Sequence, residues 1–310
     1  MISWLPFILG LMFAGTPWCS SAMALVLGMV LSLGLELKTP EFLKKYGKYL
    51  MQLAIVAMGF SMDPNVVVAS GTKGVLITLI TLLVAMGAGS ILAKVLNVQG
   101  TTGILISAGT GICGGSAIAS LSPVLRSRHD DVAVAMATVF CLNAVGLFLF
   151  PVIGRLFHLS PEQFGWFAAI AIHDTSSVVG AAAEFHSDSV PIAVTAKLTR
   201  ALWIIPMILI AAAIMKWRHR NTLEPKSKIQ IPWFIGLFVL ATVIHGLLPA
   251  MPEVFKGAEL FGKSVLKMAI FIIGTQLTRA TIRAVGPKAM ALGVILWVLM
   301  STLTLTWLLA

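Results

Sequence analysis

The apolar run Gly100–Leu125 is interrupted by its own composition. Its middle, Ser107 to Ser120, reads S-A-G-T-G-I-C-G-G-S-A-I-A-S and holds Gly109, Gly111, Gly114 and Gly115. A glycine inside a helix costs about 1 kcal/mol relative to alanine, so the spacing predicts that the helix stops here. In lipid, broken backbone persists only where protein buries it or where it lines a water-filled cavity. The stretch therefore reads as a site, with Thr110, Cys113, Gly114, Gly115 and Ser116 as substrate-binding candidates. A second polar interruption, His173-Asp174-Thr175-Ser176-Ser177, lies in another apolar run and adds His173, Thr175, Ser176 and Ser177.

The surroundings of these breaks are those of a membrane. The chain is 58% hydrophobic and 11% charged, against about 25% charged for a soluble domain, and its mean hydropathy is +0.96. An all-α polytopic membrane protein is expected, a single transmembrane domain over 1–310. A net charge of +10 would suit nucleic acid, but the basic residues cluster in short loops. That is the positive-inside bias of a chain whose partner is the bilayer. Cys19, Cys113 and Cys141 sit in apolar segments without disulfide or metal-ligand spacing. No Lys or Arg precedes Lys38, so the basic n-region of a cleavable signal is missing. No nucleotide fingerprint occurs. No cofactor is expected beyond H+ or Na+ as a coupling ion.

A span needs roughly 17 to 25 apolar residues. The runs are Ser3–Trp18, Ser21–Leu35, Tyr49–Val68, Gly74–Val95, Gly100–Leu125, Val132–Ile153, Phe164–Ala183, Val190–Met215, Ile231–Leu248, Ala258–Leu277 and Ala284–Leu309. They predict about 9–11 transmembrane segments. The first two form an N-terminal hairpin over 1–37, and two repeat regions follow at 49–156 and 164–310. One basic loop carries Lys38, Lys44, Lys45 and Lys48; the other carries Lys216, Arg218, Arg220, Lys226 and Lys228. Both should be cytoplasmic. An even number of crossings must then separate them. Six full crossings satisfy this, and so do re-entrant fifth and seventh segments, which the loop charges favour. Either way the N-terminus is cytoplasmic and the C-terminus periplasmic, in a bacterial inner membrane.

An internal repeat pairs Ala54 with Ala269, Ile55 with Ile270, Gly59 with Gly274, Gly71 with Gly286 and Lys73 with Lys288 at constant register. The loop holding Lys73 should be periplasmic and that holding Lys288 cytoplasmic. The copies then run in opposite directions, the inverted-repeat signature of secondary transporters. The fifth-plus-sixth and seventh-plus-eighth segments suggest a second pair, each a polar break followed by a proline-containing helix (Pro151, Pro206).

Lys197 and Arg200 are three residues apart and share one helix face. A mid-membrane Lys, Arg or Asp costs about 2.5–3.5 kcal/mol on insertion scales, so Asp174, Lys197 and Arg200 do not face lipid. Two readings remain. They form a buried ion pair that only holds helices together, or they line a cavity that binds an anion or a coupling ion. Lys197 and Arg200 are assigned to substrate, and Asp174, His173 and Asn143 to the coupling ion. His173 titrates in the range a proton-coupled carrier uses, or it is simply hydrogen-bonded to a neighbouring carbonyl. The N-termini behind both breaks could point at one anion. Cys113 is read as a small buried hydrophobe, and Gln52 and His245 as structural.

With Gly109–Ile118, His173-Asp174 and Lys197-x-x-Arg200 in place, the chain resembles the bacterial inner-membrane family assigned to sulfate export. The likeness runs over nearly its whole length. It differs after the His-acid pair, where relatives often carry Val-Ala-Gln and this chain has Thr175-Ser176-Ser177. The resemblance implies a fold related to the cation/proton antiporter and bile-acid symporter superfamily. It also implies a small-anion substrate, sulfate or a related oxyanion or sulfonate. The function expected is a secondary active anion transporter working by alternating access, coupled to protons or sodium, and not an enzyme; a homodimer is left open. The alternatives are a cation/proton antiporter and a membrane-embedded thiol enzyme using Cys113, His173 and Asp174.

Overall fold

The structure, a computed structural model, describes residues 4–60, 62–98, 100–218, 233–248, 251–276, 279 and 285–310. Arg220, Lys226, Lys228 and Ala284 lie outside the described residues. The regular elements are all helices: α1 (Leu5–Ala14), α2 (Ser21–Met29, continued by a π turn Val30–Gly34), α3 (Glu41–Gly59), α4 (Pro64–Val95), α5 (Thr102–Gly111), α6 (Gly115–Leu121) and α7 (His129–Leu156). Then follow α8 (Pro161–Ala171), α9 (Thr175–Phe185), α10 (Ser189–Leu202), α11 (Ile204–Arg218), α12 (Trp233–Leu247), α13 (Pro252–Gln276) and α14 (Pro287–Leu309). Among the described residues, four helices are long and apolar enough to cross a membrane: Val67–Val95, His129–Leu156, Ser189–Trp217 and Pro287–Leu309. The chain is an all-α multi-pass membrane protein.

Two sequence boundaries move. The turn expected around Lys73 comes earlier, before Pro64. There Asp63 caps α4 by accepting from Asn65 N at 2.7 Å, with Pro64 in the first turn. Asp-Pro is a strong helix start, and the apolar residues after it had masked the signal. Lys73 lies inside α4, 3.9 Å from Glu162. Residues 44–48 likewise belong to α3, not to a loop.

The helices sort into two groups. In one, α13 packs on α1, α2 and α3, and α12 packs on α3. In the other, α10 packs on α4, α8 and α9, α5 on α4 and α7, and α14 on α5, α7 and α8. The groups meet where α9 touches α2 and α13, and where α12 touches α4.

The repeat is visible in the packing. A Cβ on Gly59 would stand 2.8 Å from the Phe238 carbonyl of α12, and one on Gly274 would run into the Leu25 carbonyl of α2. Repeat-equivalent glycines thus admit the backbone of α12 and of α2, which makes those two helices counterparts. Gly47 faces Ile272 at 2.7 Å, while Gly262 faces Met58 at 2.9 Å and Ala57 at 3.2 Å. In the repeat register Gly47 matches Gly262, and Ala57 matches Ile272. Moving up α3 from 47 to 57 means moving down α13 from 272 to 262. The two helices are therefore antiparallel, and each meets the other through the same face.

Candidate functional site

The break between α5 and α6 is a turn that only glycine completes. Ile112 leaves helical geometry (φ −121°, ψ −94°), and Gly114 adopts φ +60°, ψ −122°, a region that side chains rarely enter. The Gly114 N–H reaches back to the Gly109 carbonyl at 2.8 Å. A Cβ on Gly114 would stand 3.3 Å from the backbone carbon of His173 and 3.4 Å from its Cβ. The glycine turn therefore packs directly on the second break, and the two interrupted helices cross there.

At that second break α8 ends at Ala171 and α9 begins at Thr175. Asp174 caps α9: its carboxylate accepts from Ser176 N at 3.0 Å, from Ser177 N at 3.4 Å and from the Ser176 hydroxyl. From α7, Asn143 Oδ1 accepts the N–H of His173 at 3.0 Å and of Asp174 at 3.2 Å. An N-terminus so occupied has little left for an anion. The expectation that both N-termini point at substrate does not hold for α9, because its own carboxylate fills it. On the other side, α6 is a seven-residue helix.

Lys197 and Arg200, both fully buried, fill the opposite ends. Arg200 donates from Nε to the Gly111 carbonyl at 2.6 Å and from Nη2 to Thr110 at 2.8 Å. Its Nη1 donates to Ile170 at 2.7 Å and Ala169 at 3.2 Å. Lys197 Nζ donates to Ile172 at 2.7 Å and to Ala169 at 3.2 Å. The last carbonyls of a helix have no partner within it, and cations are favoured at that end. Two cations on one face of α10 thus close the C-ends of α5 and α8 together. Among the described residues neither forms a salt bridge with Asp174, so the expected pairing of charges is replaced by pairing with backbone. Lys197 remains within electrostatic reach of Asp174, Cys113 and Arg200, and His173 within reach of both Lys197 and Arg200.

Exposure divides the sequence-derived residues. Thr110, Cys113, Gly114, His173, Ser176, Ser177, Lys197 and Arg200 are buried, as is Asn143. Gly115, Asp174 and Thr175 are half-buried and Ser116 is exposed. Among these residues, exposure is confined to the first residues of α6 and α9 and the Asp174 that precedes α9. Among the described residues His173 finds no hydrogen-bond partner for either ring nitrogen, neither a neighbouring carbonyl nor Cys113.

Sequence reasoning passed over Asp131, which is buried and accepts from Thr102 Oγ1 at 2.9 Å and from Arg128 Nη2 at 3.2 Å. It ties the start of α5 to the start of α7. The signal was available, as an acid three residues after an arginine at a helix N-terminus. A separate cavity of about 610 Å³, lined by Asp63, Asn65, His245, Gly246 and Phe255 among others, lies where the α3–α4 turn meets α12 and α13. It shares no residue with the crossing.

A family model described as conserved hypothetical protein 698 matches residues 1–260. Among similar proteins, one from Vibrio parahaemolyticus is 41% identical over 309 residues, covering 98% of this chain and 98% of its own. One from Bacteroides thetaiotaomicron is 41% identical over 296 residues, covering 95% and 88%. One from Bdellovibrio bacteriovorus is 37% identical over 289 residues, covering 93% and 89%. All three are named UPF0324 membrane proteins. No solved structure matches.

Proposed function

The chain belongs to the membrane-protein family described as conserved hypothetical protein 698, and from that premise we propose that it is a secondary active transporter of a small anion. Sulfate or a related oxyanion or sulfonate is the substrate class, moved by alternating access across a bacterial inner membrane and coupled to protons or sodium. The observation that carries the reading is the crossing itself. Two helices break where they touch, at Gly114 and His173, and are each secured by a residue from another helix: Asn143 on α7 and Arg200 on α10. A purely structural core has no reason to keep two breaks in register. A carrier does, because broken helices offer backbone and polar side chains to a solute in mid-membrane.

Charge favours an anion. Each helix end carries about half an elementary charge, so the two C-ends and two N-ends at the crossing cancel. The side chains then decide, and two bases, Lys197 and Arg200, stand there against one acid, Asp174. One observation favours the second reading, a cation/proton antiporter. Asp174 is the carboxylate at the crossing, and it is half-buried. Thiol chemistry gains no support from the geometry, since a nucleophile needs its base within hydrogen-bonding reach.

Proteoliposomes separate the cases. Labelled sulfate should accumulate when a proton or sodium gradient is imposed, and saturate with concentration. Cation movement that proceeds with no anion present would replace the anion reading with the antiporter. Transport unchanged by Cys113→Ser would remove the thiol reading.

A further inference from the structure

Three side chains at the crossing carry polar atoms that find no partner among the described residues: both ring nitrogens of His173, Nδ2 of Asn143 and Oγ1 of Thr110. All three residues are sealed, with His173 at 0%, Thr110 at 1% and Asn143 at 4% exposure. A buried polar atom without a partner costs about 1–3 kcal/mol, and native proteins leave few of them. Several on elements that meet at one crossing mark a place built for something else.

The atoms left over are mainly donors. The orientation of the Asn143 amide is fixed, because its oxygen accepts two backbone N–H groups of the second break. Nδ2 is therefore the free end, with two N–H bonds. A threonine hydroxyl adds one donor, and imidazole adds one in either tautomer. They come from α5, from α7 and from the link between α8 and α9. Arg200 and Lys197, by contrast, already face the carbonyls of Thr110, Gly111, Ala169, Ile170 and Ile172.

We propose that a small oxyanion bound at the crossing is read by the neutral donors of His173, Asn143 and Thr110, while Lys197 and Arg200 act at one remove. The cations hold the broken ends and supply positive potential; the neutral donors make the contacts that select the ligand. An anion with several oxygens satisfies donors arriving from three elements, where a halide offers a single centre. This assignment rests on the anion-carrier reading and changes which residues touch the anion.

The test uses protein in lipid nanodiscs. Sodium sulfate, phosphate and ethanesulfonate are titrated against sodium chloride at matched ionic strength, with thermal stabilisation as the readout. Thr110→Val removes one hydroxyl and leaves the backbone carbonyl that accepts from Arg200. Asn143→Asp keeps an oxygen for the two backbone N–H groups and loses the donor. Wild type should be stabilised by at least one oxyanion and not by chloride. Thr110→Val should bind that oxyanion about tenfold more weakly, and Asn143→Asp should lose the response. Unchanged affinity in both variants overturns the neutral-donor assignment and leaves the anion carrier standing. Equal stabilisation by chloride overturns the oxyanion class. A wild type that responds to none of these anions overturns the carrier reading and this assignment with it. Should Asn143→Asp not fold, the Thr110→Val titration decides alone.

Discussion

Arg200 has no exposed surface, and its guanidinium faces backbone on both broken helices. Its removal would leave the carbonyls of Thr110, Gly111 and Ile170 without a partner. Each orphaned buried group costs about 1–3 kcal/mol. Arg200→Ala should therefore lower stability by roughly 3 kcal/mol or more, read as a fall in the midpoint of thermal unfolding in detergent. Arg200→Lys should recover only part of it, because an ammonium lacks the planar fork that spans two helices. Lost function in Arg200→Ala alone would thus be no evidence of a direct anion clamp. Asp174 behaves in the opposite way. Asparagine caps a helix about as well as aspartate, so Asp174→Asn should hold the start of α9 and shift stability by no more than about 0.5 kcal/mol. What should change is coupling: the dependence of transport on pH or on sodium should weaken. An Asp174→Asn carrier with wild-type responses to both would make this carboxylate a cap and nothing more.

At the level of the element, the repeat makes a paired prediction. Gly59 and Gly274 occupy equivalent positions, and each lies against the backbone of a neighbouring helix, α12 or α2. A leucine at either place would force a helix pair apart, at a typical overpacking cost of about 1–3 kcal/mol. Gly59→Leu and Gly274→Leu should destabilise in parallel, measured by thermal unfolding of each variant. Gly236, with none of the described residues within 4 Å of its missing Cβ, is the control: Gly236→Leu should leave the midpoint where it was.

For the whole molecule, the difference in exposure between Ser116 and Ser177 gives the proposed alternating access a concrete readout. Ser116 is exposed, and Ser177, in the first turn of α9, is 6% exposed. In a Cys141→Ala background, Ser116→Cys should react with a membrane-impermeant thiol reagent added to one face of the membrane, and Ser177→Cys should not. A saturating oxyanion should slow the labelling of Ser116→Cys. Equal labelling from both faces would describe a pore rather than a carrier.

The sequence alone determined the class of this protein, because a chain 58% hydrophobic and 11% charged has few ways to satisfy its backbone outside a membrane. It also located both breaks, since Gly109, Gly111, Gly114 and Gly115 in one run and His173-Asp174 in the other are costly in an unbroken apolar helix. The register of Gly59 with Gly274 was legible because close helix approach tolerates no side chain. The roles of Lys197 and Arg200 were not legible. Their partners are carbonyls of Thr110, Gly111, Ala169, Ile170 and Ile172, and a carbonyl carries no mark in the sequence of whether it is free. Asp174 was open to the same ambiguity, as a carboxylate can pair with a cation or with the N–H groups two and three residues on. Only the tertiary structure, by bringing α5, α7, α8 and α10 to one point, decided that the cations close helix C-ends and that the acid closes an N-end. It also left His173, Asn143 and Thr110 with donors to spare.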